Sequence, residues 1–109
     1  MKMILIEDMD LFDPKSSSSV ISLAINGAHQ NLGLCWVNHR LLNLDFRLLK
    51  KTQYYFLGYG IPEIDISYLK NYISIDSERY KEIRPFQFLV FDRMEPKNAM
   101  VIDSNMNIV

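Results

Sequence analysis

Residues 86–91 read Phe86-Gln87-Phe88-Leu89-Val90-Phe91. Phe86, Phe88 and Val90 share one face of an extended chain, and Leu89 and Phe91 the other. A segment apolar on both faces predicts a central strand with neighbours on either side. Just upstream, Asp76-Ser77-Glu78-Arg79-Tyr80-Lys81-Glu82-Ile83 opens on an acidic cap and is closed by Pro85, which predicts a short helix over 76–83. Downstream, residues 99–102 (AMVI) form a last short strand, and 104–109 are a loose tail. Residues 53–59 (QYYFLGY) read as a strand, reached through a turn at Lys50-Lys51-Thr52. Before that turn, Leu44, Phe46 and Leu48 alternate with Asn43, Asp45 and Arg47, so 43–48 is a half-buried strand. Residues 66–75 satisfy both the strand and the helix period and are taken as strand.

Further upstream, Ala28, Leu32, Cys35, Trp36, His39 and Leu42 fall on one helical face, predicting a helix over 28–42. Gly33 weakens that helix by about 1 kcal/mol relative to alanine. Leu34, Val37 and Leu41 make a second stripe, which asks for a second covering surface. Residues 20–26 (VISLAIN) alternate as a strand, and 3–6 form another. Between them lie Glu7, Asp8, Asp10, Asp13, Pro14 and the run Ser16–Ser19. The expected fold is α+β: a mostly antiparallel sheet of about five to six strands, with the helices 28–42 and 76–83 on one face. Residues 1–19 form an acidic arm and linker, 20–103 a single domain, and 104–109 the tail.

With 49% apolar residues in 109, the chain can bury a core, which excludes global disorder. The net charge of −1 requires neither nucleic acid nor a membrane surface as partner. One cysteine cannot form an internal disulfide, and no apolar run reaches membrane-spanning length, so the expected location is the cytoplasm.

Ile61-Pro62-Glu63, following a tyrosine-rich strand, resembles the signature of the uncharacterised bacterial "IPExxxVDY" proteins. Ala28-His29, Leu34, Trp36, Asn38, Leu42, Leu44 and Arg47 are similar to the helix-then-strand segment of that family. The resemblance covers residues 20–92. It departs at Ser67-Tyr68-Leu69, where the pattern has Val-Asp-Tyr. It implies an intracellular bacterial α+β protein and no particular activity.

Cys35 and His39, four apart on the predicted helix, offer a nucleophile–base dyad or half a metal site. They sit on its most apolar face, which raises a thiol pKa rather than lowering it. No catalytic residue and no metal or other cofactor is therefore expected. Glu7, Asp8, Asp10 and Asp13 lack the glycine and spacing of a calcium loop, and read as an acidic steering surface. Tyr54, Tyr55 and Tyr59 supply rigid amphipathic contact area. Gly58-Tyr59-Gly60 does not open a helix and precedes no lysine, so it is not a phosphate loop. The expectation is a non-enzymatic protein-binding module, such as an inhibitor, an immunity-like protein or a regulatory adaptor, docking on another protein or a second copy. The alternative is a nucleic-acid-binding protein using Arg40, Arg47, Lys50 and Lys51 beside the tyrosines of segment 40–59. An enzyme built on Cys35 and His39 ranks third.

Overall fold

The computed structural model describes residues 2–7, 32–42 and 44–109. The chain divides into two compact units, Met1–Lys51 and Thr52–Val109. The described elements are α+β, with three α-helices, an antiparallel three-stranded sheet and, separately, a parallel strand pair. The expected single sheet of five to six strands is not what the described residues form. The predicted strand over 20–26 lies outside them.

In the first unit, β1 (Lys2–Glu7) pairs with β2 (Leu32–Val37) in parallel, from Lys2 opposite Leu32 to Glu7 opposite Val37. The predicted helix over 28–42 is therefore corrected: residues 32–37 are strand. Leu-Gly-Leu-Cys-Trp-Val also fits an extended chain, with Trp36 and Val37 favouring a pleated surface and Gly33 disfavouring a helix. Pairing with β1 decides between the two periods.

The predicted strand over 43–48 is also corrected. Residues Phe46–Lys51 form helix α1. Asp45 starts it: its carboxylate accepts from the Arg47 N–H at 2.8 Å, and its carbonyl accepts from the N–H groups of Leu48 and Leu49 at 3.1 and 3.3 Å. That is the geometry of a helix N-cap. Leu41, Leu44, Leu48 and Leu49 are all buried. Lys50 and Lys51 lie in the last turn of α1 rather than in a hairpin turn, where they favour the helix dipole.

In the second unit, β3 (Tyr54–Gly58), β4 (Gln87–Asp92) and β5 (Met100–Asp103) form an antiparallel sheet in that order, with β4 central as the sequence predicts. Tyr55 lies opposite Phe91 and Leu57 opposite Leu89, and all four are buried. The Tyr55 and Phe91 rings stack with centroids 5.5 Å apart. Phe86 falls outside the strand; it is exposed and takes a positive φ of 67° in the turn before β4.

Residues 66–75 were expected as strand, but Glu63–Lys70 is helix α2. Pro62 precedes it, its carbonyl accepting from the N–H groups of Asp65 and Ile66. Ile66, Leu69 and Ile73 are buried, a three-then-four spacing that marks one helical face. The motif Ile61-Pro62-Glu63 is thus the lead-in to α2. The short helix α3 (Ser77–Glu82) stands where predicted, with the Asp76 carboxylate accepting from the Arg79 N–H at 3.1 Å.

Two side chains of α3 hold this unit together. The Tyr80 hydroxyl donates to the Gly58 carbonyl at 2.9 Å and accepts from the Ile61 N–H at 3.1 Å. The Arg79 guanidinium donates to the Ala99 carbonyl, just before β5. The tail, expected to be loose, turns back: the Val109 N–H donates to the Val101 carbonyl at 2.8 Å, and Ile108 bridges to Ile102.

Leu89 is fully buried at the centre of the sheet. Leu89→Ala is expected to destabilise the protein by about 2–5 kcal/mol. Urea unfolding followed by circular dichroism measures this as a lower midpoint with an unchanged slope.

Candidate functional site

The apolar run Met3-Ile4-Leu5-Ile6 makes β1 and ends on Glu7, with Asp8 next in the chain. β2 runs alongside in the same direction and ends at Val37, opposite Glu7. Both strands thus finish at one edge. Beyond β2 come half-buried Asn38 and the exposed His39 and Arg40. Carboxyl ends of parallel strands are where α/β sheets gather binding and catalytic groups, because the connecting loops begin there. Backbone placement brings the residues Glu7, Asn38, His39 and Arg40 to this edge.

Of the four expected steering acids, only Glu7 is described, as the last residue of β1; Asp8, Asp10 and Asp13 lie outside the described residues. Its setting at a strand end was hidden in a reading that grouped it with the acids that follow. Asn38 was missed because it was placed inside a helix. The signal that could have found both is an apolar strand delivering an acid, followed by a second strand ending on polar side chains.

Cys35 and His39 do not share a helical face. Cys35 is exposed on β2, and His39 lies beyond the strand end. The spacing that suggested a dyad and a buried thiol depended on a helix that does not exist here. Among the described residues, no group of three His, Cys, Asp or Glu side chains is placed to hold a metal ion. No helix of the described residues is long and apolar enough to cross a membrane.

The basic residues are divided by local partners. Arg47 makes a two-pronged bond to Asp45, with Nε and Nη2 donating to its two carboxylate oxygens at 3.1 and 2.9 Å. That hydrogen bond from Arg47 holds the Asp45 carboxyl below its ordinary range. The Lys50 ammonium lies 5.6 Å from the centroid of the Phe46 ring. Arg40 and Lys51 are exposed.

The three tyrosines do not form one surface. Tyr54 and Tyr59 are exposed, whereas Tyr55 points to the opposite face of β3 and is only 4% exposed. Burial pushes its phenol up to about 12, against smaller opposing effects of a hydrogen bond with Thr52 and the charge of Arg93. Burial also raises the Tyr80 phenol.

No family model matches the chain, and no curated protein matches it. Solved structures do. The genome-packaging NTPase B204 of Sulfolobus turreted icosahedral virus 2, in complex with ATP-gammaS, superposes with a TM-score of 0.77 at 17% identity. The DNA-packaging ATPase B204 of Sulfolobus turreted icosahedral virus gives 0.75 at 16% identity. Each match covers 91% of this chain and 50% of the other, so the chain spans about half the length of these neighbours. At such identities the likeness establishes the fold. It overturns the expectation of a free-standing binding module of the inhibitor, immunity or adaptor kind, because the solved structures that share the fold are packaging NTPases. The Cys35–His39 dyad loses its premise separately, because Cys35 lies on a strand and His39 beyond its end.

The raised phenol of Tyr55 has a pH consequence. The folded state holds this proton more tightly than the unfolded chain, whose tyrosine titrates near 10. Stability is therefore full below about pH 10 and declines as pH rises toward 12. Urea midpoints at pH 9 and pH 11 are expected to differ more for the parent protein than for Tyr55→Phe.

Proposed function

We propose that this chain takes part in nucleoside triphosphate hydrolysis and supplies the acidic strand end of the site. The observation that carries the reading is Glu7, the last residue of β1 at the carboxyl edge of a parallel strand pair, with Asp8 next in the sequence, in a fold matched over half the length of packaging NTPases. In P-loop enzymes an acid in this setting, at the end of an apolar strand, holds the magnesium ion that bridges the β- and γ-phosphates.

The residues present fit such an ion. Magnesium takes one or two carboxylates and completes its shell with water and phosphate oxygens, so it needs no three-residue protein cage. When bound, it neutralises charge developing on the phosphates. Glu7 and Asp8 would hold it or accept the proton of the attacking water, and Asn38 would orient that water or a phosphate oxygen. The sequence has no G-x-x-x-x-G-K-[ST] run, and none of its four glycines precedes a lysine. In this reading the loop that cradles the triphosphate comes from another polypeptide segment of the same assembly. Genome packaging, the role named for the neighbours, would be one use of such a hydrolysis cycle.

The test is an ATPase assay on the tagged chain, purified at low salt from the cells that make it, together with whatever assembles on it. Glu7→Gln is expected to lower kcat at least about 100-fold while nucleotide binding persists. Equal turnover in the parent and Glu7→Gln preparations, or no turnover in any preparation containing the chain, would overturn the reading.

A further inference from the structure

A cleft of about 380 Å³ opens in the second unit, lined by Lys70, Asn71, Tyr72, Ile73, Ser74 and Arg93. Two of these side chains are cationic, three carry amide or hydroxyl groups, and none is acidic. Lys70 is the last residue of α2, and residues 71–74 follow it. Arg93 comes from the chain just after β4.

Arg93 is held in place from behind. Its Nε donates to the Thr52 carbonyl at 3.0 Å, and its backbone N–H donates to the Gln53 carbonyl at 2.7 Å. Its two terminal nitrogens make no hydrogen bond or ion pair with any described residue, and neither does the Lys70 ammonium. A guanidinium fixed through Nε keeps its outer donors in a plane that suits two oxygens of one anion. The carbonyls at the end of α2 oppose an anion only weakly. Those of Tyr68 and Leu69 already accept from the N–H groups of Asn71, Tyr72 and Ile73.

We propose that this cleft binds the phosphate group of a phosphate-bearing ligand. Arg93 grips it in bidentate fashion, Lys70 adds the second positive charge, and Ser74 and Asn71 add neutral donors. The volume exceeds that of a lone ion and falls in the range of small-ligand sites. The lining is too polar to select an apolar ligand. The chain as a whole carries a net charge of −1 and does not attract anions generally, so binding here is local to these two cations. A nucleotide and a nucleic-acid backbone present the same phosphate chemistry. The site lies in the second unit and does not depend on the hydrolytic reading of Glu7.

The test is a heteronuclear NMR titration of the intact chain at low ionic strength with three probes: inorganic phosphate, ATP, and a short single-stranded oligonucleotide. Saturable shifts confined to residues 70–74 and 93 are expected. Lys70→Glu should weaken the tightest probe by roughly tenfold or more, as loss of a charge-assisted bond does. Arg93→Gln also removes the bond to Thr52, so Lys70→Glu, whose side chain makes no hydrogen bond or ion pair with a described residue, carries the decision, with circular dichroism verifying the fold. Preference for the oligonucleotide assigns the phosphate to a backbone, and preference for ATP assigns it to a nucleotide. No localised shift with any probe, or unchanged affinity in Lys70→Glu, would overturn the proposal. Glu7→Gln should leave this binding intact, so failure here and failure of the hydrolytic reading can be told apart.

Discussion

The parallel pairing of β1 with β2 is the constraint on which the first unit depends. Parallel strands cannot be joined by a tight turn, and residues 8–31 supply the length of connection such a pair requires. Once the two strands run together, their ends coincide: Glu7 stands opposite Val37, and Asn38 follows immediately. The same pairing removes the helix in which Cys35 and His39 would have been neighbours. One register therefore creates one candidate site and abolishes another.

The second unit depends on a different device. β4 is hydrogen-bonded on both edges, so Leu89 and Phe91 are enclosed while Tyr55 and Leu57 cover them from β3. Helix α2 is seated by its apolar face, whereas α3, which has no buried residue, is secured by two polar side chains. Tyr80 spans from the end of β3 to the chain before α2, and Arg79 reaches the residue before β5. Such hydrogen bonds to otherwise unmatched backbone groups matter more for uniqueness of the arrangement than their net strength implies. Arg93 belongs to the same set, since its bond to Thr52 fixes a guanidinium at the rim of the polar cleft.

Parallel pairing gives the charge of Glu7 a fixed address in the chain. An acidic cluster in a sequence is usually a solvated stretch. An acid at the end of an apolar strand in a parallel pair is a group held by the backbone at a defined edge. The likeness to packaging NTPases over half their length shows a shared fold, and the use of that edge in nucleotide chemistry is the proposal built on it. The tyrosines moved the other way: Tyr54 and Tyr55 are adjacent in sequence but stand on opposite faces of β3, so they never made one contact surface.

Local chemistry was legible in the sequence wherever one period or one cap dominated. The two-faced apolarity of residues 87–91 marked a central strand, Asp76 and Pro85 bounded α3, and residues 54–58 and 100–102 were extended as their composition implied. The sequence also contained the signal for α1 in Asp45, and for α2 in Pro62 with Ile66, Leu69 and Ile73, but each was masked by a competing alternation of apolar residues. Tertiary structure alone decided β2. Its six residues fit both periods, and the choice was made by hydrogen bonds to a strand far away in the chain. The candidate site was legible only as isolated residues. Which of them meet at one edge depends on strand direction and register, and those are properties of pairing between distant segments that no local pattern encodes.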